Sequence, residues 1–364
     1  MKDHDLDALF LTRPINMYYT CGLQNTPAQH TIGWPYGLIV KRDGAMNLVL
    51  RSGMGDVARA SSYAHSITEY RKRGDFAETM RAAFAKAGLK GANVGAELGA
   101  VQLVQFSTGV FIELVKSAGV KFADGGPAIW DVRMVKSPEE IERMRVAGET
   151  ASRAGEKAFS ELKAGMTERE FARLIARYVI EEGAERTGRV YTIIAGEMIR
   201  GKLYALFPTD KKLERNTFVC ADFGGVYRHY WSDLHRVGFI GSRPPQHEKE
   251  HFDLYMEANR KGVEAIRPGN TMDDAYQASV KVFEEAGLGY PFIRTGHGLG
   301  LEGQELPDLM KDNTEKIRPG MVFAIEPFAV PSKAGVIFNC EDNVACTETG
   351  PDLLSTPQKE IWLA

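Results

Sequence analysis

The sequence predicts a mixed α/β (α+β) protein of two domains, the second of which is built from a duplicated half. Three observations predict this class. The chain has 364 residues, more than one hydrophobic core usually spans. Strand and helix patterns alternate over the first third of the chain, and a helix-and-strand plan then recurs at a constant spacing. The expected domains are residues 1–128 and residues 129–364.

The first domain opens with an apolar run, residues 6–12, that is typical of a buried strand. Residues 36–40 and 46–50 have the composition of two more strands, and Arg42-Asp43-Gly44 between them predicts a hairpin turn. Helical patterns follow near residues 76–88 and 100–118. We therefore expect an α/β domain that ends near the Asp-Gly-Gly-Pro break at residues 124–127.

The second domain opens with two strong helix starts. Ser137 precedes a proline, and Glu140 follows three residues later. This spacing of Ser and Glu is that of a capping box, and it predicts a helix from residue 139 to about residue 162. Thr167 and Glu170 repeat this spacing and predict a second helix that ends near residue 182.

The second domain also contains an internal repeat with an offset of 104 residues. Gly165 and Gly183 bracket the second helix, and glycines bracket another predicted helix 104 residues later, at 269 and 287. The apolar strand at residues 218–221 ends in Asp222, and the strand at residues 322–325 ends in Glu326, again 104 residues later. A duplicated half with pseudo-two-fold symmetry would bring these two acids together at the centre.

Composition excludes several classes of function. The 45 Lys and Arg residues nearly balance the 48 Asp and Glu residues, so the chain has no overall field that would attract nucleic acid or an acidic membrane. No apolar run is long enough to span a bilayer, and the amino terminus lacks the features of a secretory signal. Four cysteines without a Cys-x-x-Cys pair predict reduced thiols and a cytoplasmic location.

The segment at residues 221–236 is the first candidate for chemistry. We expect it to form a hairpin that turns at Gly224-Gly225 and returns Asp233 to the neighbourhood of Asp222. Strand alternation would then place several side chains on the face of Asp233. These are His229, Trp231 and His235.

Three further residues extend this constellation. Glu326 follows an apolar strand, and Glu341 lies within the segment at residues 336–342. His297 lies in the glycine-rich run Gly-His-Gly-Leu-Gly-Leu. Burying several bare carboxylates is very costly, and two divalent cations would remove that cost. Four carboxylates and one imidazole suit manganese, cobalt, iron or zinc.

These motifs resemble the "pita-bread" metallopeptidases, which include prolidase, aminopeptidase P, methionine aminopeptidase and creatinase. The resemblance rests on the eleven-residue spacing of Asp222 and Asp233, the sequence around His297, Ile-Glu-Pro at 325–327, and Glu341-Asp342. The start of the chain and the linker at residues 133–140 resemble the two-domain branch with prolidase, aminopeptidase P and creatinase. The resemblance implies a creatinase-like amino-terminal domain followed by a pita-bread catalytic domain.

The resemblance also implies roles for the site residues. Asp222 would bind one metal ion, Asp233 and Glu341 would bridge two ions, and His297 and Glu326 would bind the second. The ions would be manganese first, with cobalt, iron or zinc as alternatives. The implied activity is that of an Xaa-Pro dipeptidase or aminopeptidase P, in which a metal-bridging hydroxide attacks the amide of a small peptide. A homodimer is implied as well.

The sequence lacks two histidines that the peptidases of this family have in addition to the metal ligands. One would fall at Ala205 or, with a two-residue gap, at Phe207, and the other falls at Gln304. His235 stands where the family usually has threonine, and it is a candidate to compensate. We therefore predict that the catalytic residues are His235, Gln304 and Glu326. The predicted substrate contacts are Trp34, Tyr36 and His229, where Trp34 or Tyr36 would gate a small substrate or form a cage for an onium group.

Two alternatives to peptide cleavage follow from these departures. The first is a non-peptidase member of the same fold that acts on a small zwitterion, as in the hydrolysis of creatine or ectoine or the cleavage of dimethylsulfoniopropionate. The second is an inactive binding module, which would be expected to have lost metal ligands, whereas all five are present.

Overall fold

A computed structural model describes residues 1–24, 34–99, 101–195, 207–328, 330–333 and 335–364, with the backbone alone at residues 189–195. The chain divides into two compact units, Met1–Val132 and Arg133–Ala364. The mixed α/β class is confirmed. The predicted domain boundary after residue 128 stays a prediction. In the described part of the chain, every helix falls short of what a bilayer crossing requires.

The first unit is built on a six-stranded sheet in the order β4-β3-β2-β1-β5-β6. Its strands are β1 (Ala8–Leu11), β2 (Gly37–Lys41), β3 (Met46–Arg51), β4 (Ser66–Tyr70), β5 (Asn93–Ala96) and β6 (Lys121–Asp124). Its helices are α1 (Pro14–Cys21), α2 (Gly55–Ser61), α3 (Phe76–Lys86), α4 (Thr108–Ser117) and α5 (Gly126–Arg133), the last of which runs into the second unit.

The sequence predicted five of these eleven strands and helices, namely β1, β2, β3, α3 and α4. The antiparallel pair β2 and β3 is the expected hairpin. Helix α4 begins eight residues later than expected, because Ser107 caps it through a hydrogen bond from the amide of Val110. Edge-to-face aromatic contacts fill the core, including Phe10 on Phe84 at 5.5 Å between ring centroids.

The second unit has two further five-stranded sheets. One has the order β16-β10-β8-β7 with β9 paired to β8, and the other has the order β12-β11-β13-β14-β15. The first contains β7 (Arg186–Ala195), β8 (Thr217–Tyr227), β9 (Tyr230–Trp231), β10 (Leu234–Ile240) and β16 (Trp362–Leu363). The second contains β11 (Arg294–Gly298), β12 (Glu305–Met310), β13 (Val322–Ile325), β14 (Asp342–Thr347) and β15 (Gly350–Leu353).

The described part of this unit also contains four helices: α6 (Pro138–Ser160), α7 (Glu168–Glu181), α8 (Gln246–Glu264) and α9 (Met272–Glu285). Both predicted capping boxes form, with Ser137 and Glu140 at α6 and with Thr167 and Glu170 at α7. The apolar side chains of α6 and α7 cover one face of β8 and β10, and those of α8 and α9 pack on the other.

The 104-residue repeat is visible in the backbone. The amide of Gly165 donates to the carbonyl of Leu213 at 2.8 Å, and the equivalent bond joins Gly269 to Ile317 at 3.2 Å. The isolated bridges Thr167↔Lys212 and Thr271↔Lys316 are likewise 104 residues apart at both ends. The duplicated plan of the second unit therefore extends to individual hydrogen bonds.

One expectation about this unit is wrong. Gly224 and Gly225 do not turn the chain, because β8 continues through them to Tyr227. The turn is formed by Arg228 and His229, whose φ angles are 46° and 73°. Gly224 serves another purpose: a Cβ atom there would lie 1.9 Å from the carbonyl oxygen of Ser232, so only glycine lets the two strands approach so closely.

Candidate metal centre

Neighbouring strands place three of the predicted residues in one row. Asp222 on β8 pairs directly with His235 on β10, and the backbone of His235 in turn bridges that of Glu341. Residues that pair directly across antiparallel strands have their side chains on the same face. The row therefore presents two carboxylates with an imidazole between them.

Asp233 lies on the same face as this row. Strands β9 and β10 pair with β8 in the same register, so the alternation of side chains is not interrupted between them. Trp231, Asp233 and His235, which are two residues apart, therefore lie on one face, as the sequence predicted. The backbone of Asp233 is fixed by Asn343, whose side-chain amide donates to the carbonyl of Asp233 at 2.7 Å and accepts from its amide at 3.1 Å. Asp233 is 3% exposed, so its carboxyl group lies in the interior.

The tightest cluster consists of Asp233, His297 and Glu341. All three are buried, and one ligand atom of each lies within 4.8 Å of the others. The Nε2 atom of His297 also lies 3.5 Å from the Oε1 atom of Glu326 and 3.9 Å from that of Glu341. The structure thus brings together residues from both halves of the second unit, while Asp222 lies on the adjoining strand outside this three-residue group.

The donor set of this cluster fits a cation. The Nδ1 atom of His297 contacts the carbonyl oxygen of Gly298 at 2.9 Å. A carbonyl can only accept a hydrogen bond, so Nδ1 carries the hydrogen, and in the neutral form of the ring Nε2 presents a lone pair toward the carboxylates. Lone pairs and buried carboxylate oxygens that converge in this way are stabilised by a divalent ion between them.

His235 is buried beside this cluster. Desolvation, helped by the charge of Arg236, lowers the pKa of His235 to about 3, so its ring is neutral at physiological pH. Its Nε2 atom has no hydrogen-bond partner among the described residues. A neutral imidazole in this position can coordinate a metal ion, or accept or donate a hydrogen bond.

Sequence reasoning missed the residues that hold the acids in place. Asn259 on α8 donates both amide hydrogens, one to the carbonyl of Ile325 at 2.7 Å and one to that of Cys340 at 3.0 Å. These carbonyls belong to the residues immediately before Glu326 and Glu341. A polar residue on the buried face of an amphipathic helix is the signal that could have identified Asn259.

Arg236 was missed as well. It is 1% exposed, and it donates to the carbonyl of Glu341 at 2.6 Å and to the carboxylate of Asp342 at 2.9 Å. The Arg that follows His235 in the sequence therefore fixes the segment that carries Glu341.

The remaining predicted residues lie elsewhere. His229 is half-buried in the β8–β9 turn, so the expectation that it continues the strand face of Asp233 is wrong. Gln304 is exposed between β11 and β12. Ala205 lies outside the described residues, and Phe207 is 73% exposed.

Trp34 and Tyr36 belong to the first unit. Tyr36 is buried, and the half-buried ring of Trp34 lies 5.2 Å from the guanidinium of Arg73 and 5.8 Å from that of Arg51. Cations of the chain itself therefore already lie against the indole that was predicted to form an onium cage.

Comparison with known proteins matches both units. The model of metallopeptidase family M24 matches residues 142–348, and the model of the creatinase/prolidase N-terminal domain matches residues 1–135. An uncharacterised peptidase of Staphylococcus saprophyticus is 29% identical over 362 residues, which is 99% of this chain and 97% of the relative. The Xaa-Pro dipeptidase of Pyrococcus furiosus is 30% identical over 363 residues, with the same coverage.

Solved structures agree with this assignment. The prolidase from Pyrococcus furiosus has a TM-score of 0.82 at 28% identity over 99% of both chains. A prolidase from Thermococcus sibiricus has a TM-score of 0.88 over 100% of this chain and 96% of the other, and at 20% identity it shows the fold alone.

Proposed function

The chain belongs to metallopeptidase family M24, and from this premise we propose that it is a dinuclear metallohydrolase that cleaves an amide bond of a small peptide. Xaa-Pro dipeptides are the first substrates to test, because a similar protein is named an Xaa-Pro dipeptidase. The observation that carries the proposal is the buried cluster of Asp233, His297 and Glu341, with Glu326 beside His297. We set aside the inactive binding module, since it predicts lost ligands.

In this proposal four carboxylates and one imidazole bind two metal ions. Asp222 would bind the first ion, and His297 and Glu326 would bind the second. Asp233 and Glu341 would each bind both ions. Manganese is proposed first because four of the five groups are carboxylates, and cobalt, iron and zinc are the alternatives.

When bound, the ions supply a nucleophile at neutral pH by lowering the pKa of water, and they polarise the scissile carbonyl. The chain supplies the rest. The carboxylate of Glu326 accepts the proton that the nucleophile loses, and neutral His235 donates or accepts a hydrogen bond from β10. Gln304 donates hydrogen bonds from its exposed position but cannot transfer a proton.

A second candidate function is hydrolysis of a small zwitterion. It is favoured by the two positions where the resemblance implies a histidine in peptidases, which carry Gln304 and either Ala205 or Phe207. Gln304 keeps a hydrogen-bond donor, whereas Ala205 and Phe207 have none, and loss of one such donor typically costs about 10²–10³ in turnover. A homodimer and a cytoplasmic location also remain proposals; light scattering coupled to size exclusion tests the first, and fractionation of cells that express the tagged chain tests the second.

The deciding experiment combines metal analysis with a peptide assay. Apoprotein is loaded separately with manganese, cobalt, iron or zinc, and bound metal is counted by mass spectrometry. We expect two ions per chain in the wild type, fewer in His297→Ala, and cleavage of Ala-Pro and Gly-Pro only by loaded protein. Less than one ion per chain would refute the dinuclear proposal. If the loaded protein leaves all peptides intact, betaines and ureido compounds become the substrates to test.

A further inference from the structure

An accessible ion pair lies beside the buried cluster. The guanidinium of Arg294 is 3.0 Å from Glu326 and 3.4 Å from Asp308. The side chains of Arg294 and Asp308 are 31% and 32% exposed, whereas that of His297 is 1% exposed. Arg294 and Asp308 therefore form an edge of the candidate metal centre that solvent, and hence a substrate, can reach.

An irregularity in the sheet places Arg294 at this edge. Arg294 pairs with Met310 while Gly296 pairs with Leu309, so Thr295 is an extra residue in β11. Arg294 is three residues from His297, and regular alternation would place the two on opposite faces. The bulge reverses this and turns Arg294 toward Glu326; bulges of this kind are frequent next to active sites.

Asp308 reaches the same edge through regular pairing. It pairs directly with His297 across β11 and β12, so the two side chains share a face. Exposed ion pairs contribute about 0–1 kcal/mol to stability, and the contact with Arg294 is long, so fold stability gives little reason for this pair. Two opposite charges held close together are complementary to a ligand that carries both charges.

We propose that Arg294 and Asp308 form a substrate subsite for a zwitterion, with the carboxylate of the substrate on Arg294 and its cationic nitrogen on Asp308. The proposal deepens the second candidate function, hydrolysis of a small zwitterion, and rests on it, because it assumes that the scissile bond of that zwitterion lies at the metal centre. Since the two side chains are 3.4 Å apart, the two charges of the ligand must be separated by only a few bonds. Free α-amino acids and betaines have this pattern, whereas the two termini of a dipeptide are separated by its amide.

Binding of three probes built on one scaffold tests the subsite. Manganese-loaded protein is titrated calorimetrically with L-proline, which carries both charges, with N-acetyl-L-proline, which keeps only the carboxylate, and with L-prolinamide, which keeps only the cation. We expect L-proline to bind about tenfold more tightly than either analogue. Asp308→Asn should weaken L-proline about tenfold and leave N-acetyl-L-proline unchanged, because only the cation contact is lost.

Asp352→Asn is the matched control. Asp352 is also a half-exposed carboxylate of the second unit that is paired with an arginine, Arg145 at 2.6 Å, and its replacement should leave L-proline binding unchanged. Manganese titration of Asp308→Asn separates loss of the subsite from damage to the metal centre. Equal binding of the three probes, no binding of L-proline, or an unaltered Asp308→Asn protein would overturn the subsite. Cleavage of Ala-Pro is measured separately, so failure of the peptidase proposal is distinguishable from these results.

Discussion

Asn259 provides the sharpest test of how the fold holds the metal centre. Its side chain is 6% exposed and donates to the carbonyls of Ile325 and Cys340, which precede Glu326 and Glu341. Asn259→Leu keeps the branching and the number of side-chain heavy atoms but removes both donors. The two acids then lose the link through α8 that fixes their separation.

The size of the effect follows from the two lost hydrogen bonds. Leaving a buried acceptor unsatisfied costs about 1–3 kcal/mol, so the loss of two bonds should lower the free energy of unfolding of the second unit by about 2–6 kcal/mol. Removing a group that orients metal ligands typically costs 10–100-fold in metal affinity, and we expect a loss of about that size for manganese. Denaturant unfolding of the apoprotein and calorimetric titration with manganese measure the two quantities separately.

Asn270→Leu is the control for this variant. Asn270 also donates its amide to a carbonyl, that of Ala265 at 2.9 Å, but it lies beyond the end of α8 and away from the candidate ligands. It should lower stability slightly and leave manganese affinity unchanged. If Asn259→Leu bound manganese as tightly as the wild type, the inference that Asn259 positions Glu326 and Glu341 would be refuted.

Three further predictions concern the second unit. Lys136→Met removes a buried ammonium 3.2 Å from Glu305, which keeps its ion pair with Arg133 at 2.5 Å, and should lower the free energy of unfolding by about 1–3 kcal/mol, measured by denaturant titration. Gly224→Ala places a Cβ atom 1.9 Å from the carbonyl oxygen of Ser232; it should cost about 1–3 kcal/mol, measured in the same way, and weaken manganese binding. Burial lowers the pKa of His251, so as the pH falls below 6.5 the unfolded chain takes up a proton at this residue more readily than the folded chain does. Stability should therefore decrease between pH 6.5 and 5.5 through this group, and His251→Gln should reduce the decrease.

Matched variants control for these effects. Lys249→Met breaks an exposed pair with Asp253, Gly109→Ala adds a Cβ atom where nothing lies within 4 Å, and His65 is an exposed histidine for comparison with His251. Each control should change the free energy of unfolding by less than about 1 kcal/mol. A Lys136 variant no less stable than its control, a Gly224 variant with normal manganese affinity, or an unaltered pH slope in His251→Gln would contradict the corresponding argument.

Much of the fold was predictable because its signals are local. A capping box is complete within four residues, so the starts of α6 and α7 were predicted from Ser137 and Thr167. The repeat with an offset of 104 residues could likewise be predicted from the sequence, since both copies have glycines at the helix ends. The acids at strand ends and His297 could be selected as candidates because strand alternation and the motif spacings are properties of the sequence.

Tertiary structure alone decided the rest. The sequence suggested a turn at Gly224-Gly225, but glycine also serves close strand packing, and only the pairing with Ser232 distinguishes the two uses. Asn259 acquires its role from carbonyls 66 and 81 residues away. The side of the sheet on which Arg294 lies depends on a bulge at Thr295, which reverses strand alternation. The sequence by itself determined the family and the candidate metal ligands, because motif spacing is a local property, whereas long-range pairing determined which residues contact those candidates and which charges lie at the exposed edge of the cluster.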